Sequence, residues 1–267
     1  MKHFKIMCLW FCMTAMAFAF PSTGGASDWT WQNPLPQGND LRDVWGSSGS
    51  DVFAVGNGGT IVHYDGSAWS AMTSGTTWDL NGVWGNSDSD VFAVGDGGTI
   101  VHYDGSEWSE MASGLSSNQN LFDVWGSSGS DVFAVGGNFS ANDGTILHYN
   151  GSVWSEMNFG TIAWFHGVWG SSGTDVFVVG GDHWANDGTI LHYDGSVWVE
   201  MNFGTATEFD GVWGSSGSDV FAVGDGGTIV HYDGSAWSEM AFSSGLRGSM
   251  AYGAVPALMS LPLDRTA

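Results

Sequence analysis

The chain is poor in cysteine and in basic residues. Its only cysteines, Cys8 and Cys12, lie near the amino terminus, and 267 residues contain five lysines and arginines against 28 acidic residues. Binding to phosphates or anionic lipid needs clusters of lysine and arginine, so nucleic acid and anionic membrane surfaces are excluded as partners. Beyond residue 12 no disulfide and no cysteine metal site can form, so the fold is stabilised by packing.

The first nineteen residues have the pattern of a signal peptide. A charged start at residues 1–5 precedes an apolar run at 6–20, and Ala17-Phe18-Ala19 provides small residues at the cleavage positions. The alternative is a membrane anchor, but about 15 apolar residues are fewer than the roughly 20 that span a bilayer. We therefore predict cleavage before Phe20, a secreted or periplasmic chain with no membrane insertion after cleavage, and a flexible leader at 20–28.

A repeat of about forty residues organises the rest of the chain. Its Val-Trp-Gly tryptophans recur 39, 41, 44 and 44 residues apart, at Trp45, Trp84, Trp125, Trp169 and Trp213. Within the first repeat, short apolar segments at 41–45, 52–55, 60–64 and 68–72 are separated by Gly, Asn and Asp turns, which is typical of four β-strands. The pattern predicts an all-β fold, a β-propeller of four-stranded blades over residues 29–245.

The number of blades is open between five and six. Trp31 lies fourteen residues before Trp45, close to the spacing of the last-strand tryptophan in later repeats, so residues 29–32 are a candidate closing strand. Residues 245–250 echo the start of a repeat, and 246–267 are either a degenerate repeat or a loose tail.

The motif Trp-Gly-Ser-Ser-x-x-Asp-Val-Phe-Ala-Val-Gly, followed by Gly-Thr-Ile-x-His-Tyr-Asp-Gly-x-x-Trp, resembles the repeats of secreted bacterial β-propellers. These are related to the BNR or Asp-box sialidase-like superfamily and to propellers of the photosystem II assembly-factor type. The segment Asp65-Gly-Ser-Ala-Trp69 has one residue fewer than an Asp-box between aspartate and tryptophan. The resemblance implies the architecture but not sialidase chemistry, which needs three substrate-binding arginines. The chain has only three, and Arg247 and Arg265 lie in or near the degenerate tail.

One histidine and one aspartate recur in every repeat. A ring of neutral histidines could bind a metal ion. Equivalent positions in successive blades lie too far apart to share an ion unless they line the axis, so we predict instead a structural role, in which each histidine hydrogen-bonds a turn or the repeated aspartate. The histidines are His63, His102, His148, His192 and His231, and the aspartates are Asp51, Asp90, Asp131, Asp175 and Asp219.

Irregular loops in the third and fourth repeats are the candidate binding surface. The loop between strands two and three is five residues longer there, and it emerges on the same face as the segments joining blades, which carry further aromatic residues. Aromatic, Asn and Asp side chains that converge on one face suit a sugar or a protein loop. The candidate ligand residues are Phe139, Trp164, His166, His183, Trp184, Asn186 and Asp187; the joining segments also carry Trp78, Phe159, Phe165, Phe203 and Phe209.

Asn142 and Asp143 could offer oxygens to calcium, although turn chemistry explains Asn-Asp-Gly equally well. No cofactor is otherwise implied. The sequence favours a monomeric, non-catalytic binding or scaffold module for a glycan or an extracellular protein. The alternative is a glycosidase or lyase on the same scaffold, which would need two carboxylates facing one another across a cleft.

The predicted cleavage site can be tested by intact mass of the exported protein. We expect a chain that begins near Phe20, and we expect Ala19→Arg to block processing because signal peptidase sites require a small residue there. Ala26→Arg, seven residues further on, is the matched control and is expected to be processed normally. Full-length mass for the unaltered chain would contradict the prediction.

Overall fold

Five four-stranded antiparallel sheets, one per repeat, follow one another along the chain, each with its strands in sequence order. The structure, a computed structural model, describes residues 38–240 except 139, 142, 161–162, 183–184, 186 and 204–206. The predicted signal peptide, leader, closing strand at 29–32 and tail at 246–267 lie outside the described residues and stay predictions. The prediction of an all-β fold built from four-stranded blades is confirmed.

The first two blades contain strands β1 (Leu41–Ser48), β2 (Asp51–Gly56), β3 (Thr60–Tyr64) and β4 (Trp69–Met72), then β5 (Leu80–Ser87), β6 (Asp90–Gly95), β7 (Ile100–Tyr103) and β8 (Trp108–Glu110). The third contains β9 (Asn120–Ser128), β10 (Asp131–Asn138), β11 (Asp143–Tyr149) and β12 (Trp154–Glu156). The last two contain β13 (Trp164–Ser172), β14 (Asp175–Asp182), β15 (Asp187–Tyr193) and β16 (Trp198–Glu200), then β17 (Phe209–Ser216), β18 (Asp219–Gly224), β19 (Thr228–Tyr232) and β20 (Trp237–Glu239).

The first strand of each blade is the innermost. Packing runs from β1 to β5, from β5 to β9, from β9 to β13 and from β13 to β17. First strands are longer than the sequence predicts because Gly46-Ser47-Ser48 continues the ladder through a bulge to Asp51. The second strand, Val-Phe-Ala-Val, is buried on both faces, as its unbroken apolar run indicates.

Two kinds of connection join the second and third strands. In blades 1, 2 and 5 a three-residue turn does so, and at Asn57–Gly59 both glycines take positive φ, 65° and 71°, which favours glycine there. In blades 3 and 4 the ladder runs on to Asn138↔Asp143 and Asp182↔Asp187, so the hairpins project further. The amide of Gly58 donates to Asp79 on the segment joining blades 1 and 2, at 2.8 Å. These turns and joining segments therefore share one face, called the loop face below.

Aromatic side chains pack each blade against the next. The ring of Phe53 on β2 lies 5.6 Å from the ring of Tyr103 and 6.1 Å, edge to face, from that of Trp108 in the following blade. Inside its own blade Phe53 stacks on His63 at 4.3 Å. The same contacts recur for Phe92, Phe133 and Phe177, and all four phenylalanines are fully buried. Each aromatic pair adds about 0.5–1.5 kcal/mol to the burial of its rings.

The glycine of Val-Trp-Gly is explained by the preceding blade. A Cβ atom at Gly85 would lie 2.5 Å from the ring of Trp45, so only glycine lets that tryptophan lie flat on the next innermost strand. The same contact occurs three more times, at Gly126, Gly170 and Gly214. The motif thus encodes an interface between blades as well as a strand.

An aspartate and a histidine form a polar network in each blade, completed by a serine in blades 1, 3, 4 and 5 and by Asn86 in blade 2. Asp51 Oδ1 lies 2.6 Å from His63 Nε2, and its Oδ2 accepts a bond from Ser47 Oγ at 2.5 Å. The carboxylate stands between the hydroxyl and the ring, so this is not the order of a nucleophile activated by histidine. The sequence leaves a turn or the repeated aspartate as the partner of each histidine, and the structure shows that it is the aspartate in all five blades.

We expect Asp131→Ala to lower the free energy of unfolding by about 1–3 kcal/mol, because it leaves His148 and Ser127 without their acceptor in a half-buried site. The matched variant is Asp219→Ala in blade 5, where the carboxylate is 43% exposed instead of 28%. Water can replace the lost bonds more easily there, so its loss should be smaller. Urea unfolding followed by tryptophan fluorescence measures both; equal losses would contradict this account of the network.

Two aspartates connect the innermost strands. Asp43 Oδ2 accepts the amide of Val83 and Asp123 Oδ2 accepts the amide of Val168, each at 2.8 Å and each across a blade boundary. Burial raises the pKa of Asp43 to about 6. Burial, with a further contribution from the Asp43 carboxylate, raises the pKa of Asp123 to about 7. The contribution of the Asp43 carboxylate, from blade 1, to the pKa of Asp123, from blade 3, indicates that the innermost strands bring these two groups into the same region.

This geometry predicts a pH dependence of stability. The folded pKa of Asp123 lies above the unfolded value of 3.8, so between about pH 4 and pH 7 the folded chain holds more protons than the unfolded one. The contribution of this group is greatest below pH 4 and is lost as the pH rises through 7, by at most about 1.4 kcal/mol per pH unit. We expect Asp123→Asn to flatten the unfolding free energy in this window.

Urea unfolding at several pH values between 4 and 7.5 measures the slope. The control is Asp65→Asn, since hydrogen bonds from Ser67 and Ala68 hold the pKa of Asp65 near 2, below the window. A slope unchanged by Asp123→Asn would show that the carboxyl does not titrate in this range.

Candidate functional site

The five blades differ most informatively at one position of the innermost strand. Two residues before each Val-Trp-Gly motif, the five repeats carry five unlike side chains. The residue three before the motif is always Leu or Phe. Packing dictates the Leu or Phe, but it does not dictate the residue that follows it. We call these five residues the variable arc: Arg42, Asn81, Phe122, His166 and Asp210.

The first half of the variable arc is polar and already paired. The Arg42 guanidinium donates to Asp79 at 2.7 Å, to Asn57 at 2.6 Å and to Asn81. Asn81 in turn donates to Asp96 Oδ1 at 2.9 Å and to the carbonyl of Leu121 at 2.8 Å. These bonds reach from blade 1 to blade 3 and fix the arc as one surface.

The second half is aromatic and acidic. Phe122 stacks on His166, with ring centroids 5.5 Å apart and planes 10° apart, and Trp164 lies 5.9 Å from Phe122 and 5.7 Å from His166. His166 Nε2 is 3.2 Å from Glu208 Oε1. Burial raises the pKa of Asp210, the charge of His166 opposes that shift, and Asp225 and Glu208 add to it. This cluster draws on blades 3, 4 and 5.

Of the candidate ligand residues, the structure brings Trp164 and His166 together in this cluster. Trp164 is not in a loop: it begins β13 and is only 9% exposed, with a Cβ at Gly137 of the long blade 3 hairpin 3.1 Å from its ring. Asp187 is exposed at the start of β15, at the base of the blade 4 hairpin. The remaining candidates lie outside the described residues: Phe139, His183, Trp184 and Asn186.

Several aromatic residues of the joining segments belong to the core instead of the surface. Phe159 packs edge to face on Phe165 at 4.9 Å, and Phe203 packs in the same way on Phe209. Phe165 and Phe209 are fully buried. Trp78, 49% exposed, remains a surface aromatic of the loop face, against Gly97. Periodicity could not separate these roles because the joining segments have no strand pattern.

The candidate calcium ligand Asp143 lines a cleft of 410 Å³ in blade 3, together with Glu156, Asn158 and Phe159. Asn142 lies outside the described residues. Among the residues that the structure describes, no group of three or more His, Cys, Asp or Glu side chains is close enough to hold a metal ion.

Sequence reasoning missed Arg42, Asn81, Phe122, Glu208 and Asp210 as site residues. The signal was present, since aligning the five repeats shows a position with five unlike residues between a position that is always Leu or Phe and one that is always Asp or Gly. The charge of the chain is a second signal for this position. Of the 28 acidic residues, 26 lie among the described residues, since Asp28 and Asp264 do not. Arg42 is the single lysine or arginine among the described residues.

In the part of the chain that the structure describes, no helix has the length and apolar character needed to cross a bilayer. No family model and no curated protein sequence matches the chain.

Solved structures do match. YCF48 bound to D1 peptide has a TM-score of 0.56 at 16% identity, covering 76% of this chain and 67% of that one. YCF48 from Cyanidioschyzon merolae has a TM-score of 0.54 at 14% identity, with coverages of 74% and 68%. The WD40 β-propeller domain of Doa1 has a TM-score of 0.59 at 13% identity, with coverages of 74% and 66%. At such identities the likeness shows the fold alone, and that fold is the β-propeller.

Proposed function

We propose that the protein is a non-catalytic binding scaffold that holds a basic, extended segment of a partner protein against the variable arc. The observation that carries the proposal is the arc itself: five unlike side chains at one repeated position on an otherwise uniform framework. A propeller supports binding and scaffold roles, and one protein of this fold, YCF48, has been solved bound to a D1 peptide.

Charge specifies the partner. Around the arc, Asp79, Asp96, Glu208, Asp210 and Asp225 face one arginine and one histidine, and Asp79 already neutralises that arginine. Lysine or arginine side chains of a partner would meet an excess of carboxylates here, which favours both encounter and orientation. The stacked faces of Phe122 and His166, with Trp78 exposed on the same face, add sites for aromatic or cationic side chains.

A binding role also fits the polar chemistry of the blades. The aspartate–histidine pair recurs in every blade, with a serine in four blades and Asn86 in the other, and it holds strands together, so its presence is not a catalytic signature. As part of the same proposal, the chain acts outside the cytoplasm, where its signal sequence would deliver it, and it works as a monomer.

The test is fluorescence anisotropy with labelled peptides of matched length, one rich in lysine and arginine, one rich in glutamate and one neutral. We expect binding of the basic peptide alone, weakened by raising salt because the interaction is electrostatic. Asp210→Asn should weaken it about tenfold, equivalent to about 1.4 kcal/mol. Phe122→Ala should weaken it as well.

The matched control is Glu107→Gln, which removes one negative charge from an exposed turn between the third and fourth strands, on the opposite face. It should leave affinity unchanged within experimental error. Equal losses for Asp210→Asn and Glu107→Gln would reduce the effect to net charge. Binding to immobilised glycans, with or without calcium, in place of peptide would favour the glycan alternative and overturn the choice of partner.

A further inference from the structure

Blade 5 presents an interface that nothing covers among the described residues. Phe221 is equivalent to Phe53, Phe92, Phe133 and Phe177, which are buried under the tyrosine and tryptophan of the following blade. Phe221 is half-buried, and its ring contact within the described chain is His231 of its own blade. Met240, equivalent to the Met72 that accepts from Trp108 Nε1, is 46% exposed.

Blade 1 presents the complementary half. Trp69 is half-buried, whereas the equivalent tryptophans of blades 2 to 5 are 7–9% exposed. Val44 is 57% exposed, compared with 5% for Val83 and 3% for Val124. Within the described residues no tryptophan ring covers Gly46 in the way that Trp45 covers Gly85.

Within the described residues, the uncovered faces of blades 5 and 1 do not pack against each other. Innermost strands pack in sequence from β1 to β17, and no packing of that extent joins β17 back to β1 in the described part of the chain. An occupant that satisfies both faces must offer a tyrosine and a tryptophan to Phe221, and a phenylalanine to Tyr64 and Trp69. Those are the two sides of one further blade of the same repeat.

The genetic code indicates where that blade is encoded. If the codons of residues 250–264 are read one base earlier, each new codon takes the third base of one codon and the first two bases of the next. Met250 followed by Ala251 then must give GGC, glycine, and Tyr252 followed by Gly253 allows TGG, tryptophan. Met259 followed by Ser260 allows GTC, valine.

Continued over fifteen codons, this frame accommodates Asp-Gly-Val-Trp-Gly-Ser-Ser-Gly-Ser-Asp-Val-Phe-Ala-Val-Gly, which is identical to residues 210–224. Each junction allows only a minority of the twenty amino acids, so an unrelated sequence would fail within a few positions. The shifted reading begins with the last base of the Ser249 codon, which places the change of frame at or before that codon.

We infer that the uncovered faces of blades 5 and 1 are built to hold a sixth blade of this same repeat, whose first two strands are encoded by the DNA of codons 250–264 in the frame one base earlier. The occupant is thus neither an unrelated partner nor a second copy of the chain. A sixth blade buries Phe221 as its four equivalents are buried.

The first test is the nucleotide sequence of the gene. The inference requires TAT for Tyr252, GGG for Gly253, GTT for Val255 and CCG for Pro256, because other third bases change the shifted Trp, Gly, Ser and Gly. A different third base at any of these four codons overturns the assignment of the blade to this frame.

The second test compares this chain with a chain in which the frame is restored from codon 248 onward. Phe221→Ala is introduced into both, and Phe133→Ala, buried in both, is the matched control. We expect the shift in urea midpoint caused by Phe221→Ala to be about threefold larger in the restored chain, as for a ring that becomes fully buried. The control shift should be the same in both chains.

Equal shifts for Phe221→Ala would overturn the docking of a sixth blade. Sedimentation of the unaltered chain tests whether a second copy of the chain covers these faces instead. Concentration-dependent oligomers that dissociate with Phe221→Ala would show that it does, and this result would also overturn the inference. A monomer whose restored form alone protects β18 and β19 from hydrogen exchange supports it.

Discussion

The structure depends on the contact between the phenylalanine of one blade and the tyrosine and tryptophan of the next. A four-stranded sheet has two apolar faces and cannot bury both by itself, so each blade completes the core of its neighbour. Phe53, Phe92, Phe133 and Phe177 are fully buried for this reason, and Phe221 is not. Most of the repeated aromatic residues serve this packing, and they carry no information about a ligand.

Hydrogen bonds between polar side chains stabilise the blades, which the aromatic contacts align. The network aspartates of blades 2, 3 and 4 also reach the next blade: a Cβ at Gly129 would lie 1.8 Å from Asp90 Oδ2, so the turn glycine there is in contact with the preceding carboxylate. Because every blade uses the same aspartate and histidine, their chemistry is structural. We place function where the repeats differ in sequence, and the variable arc is such a place, because packing between blades does not dictate its side chains.

The chain holds many carboxylates by giving them different surroundings. In the exposed turns, Asp65 and Asp104 accept bonds from the next residues and their pKa falls to about 2. At the innermost strands, Asp43 and Asp123 accept amides from the following blade, and burial raises their pKa to about 6 and about 7. The acidic groups of the loop face are the ones that the proposed function assigns to a partner.

The sequence alone determined the repeat, the four strands of each blade, the glycine turns and the structural role of the repeated histidine. These follow from patterns that recur five times, and a strand's alternation and a turn's need for glycine are local properties. It could not decide that Phe165 and Phe209 are core whereas Trp78 is exposed, or that Phe122, His166 and Glu208 from three blades form one cluster. Only the tertiary structure decided that, because neighbours across blades are set by packing between residues some forty positions apart.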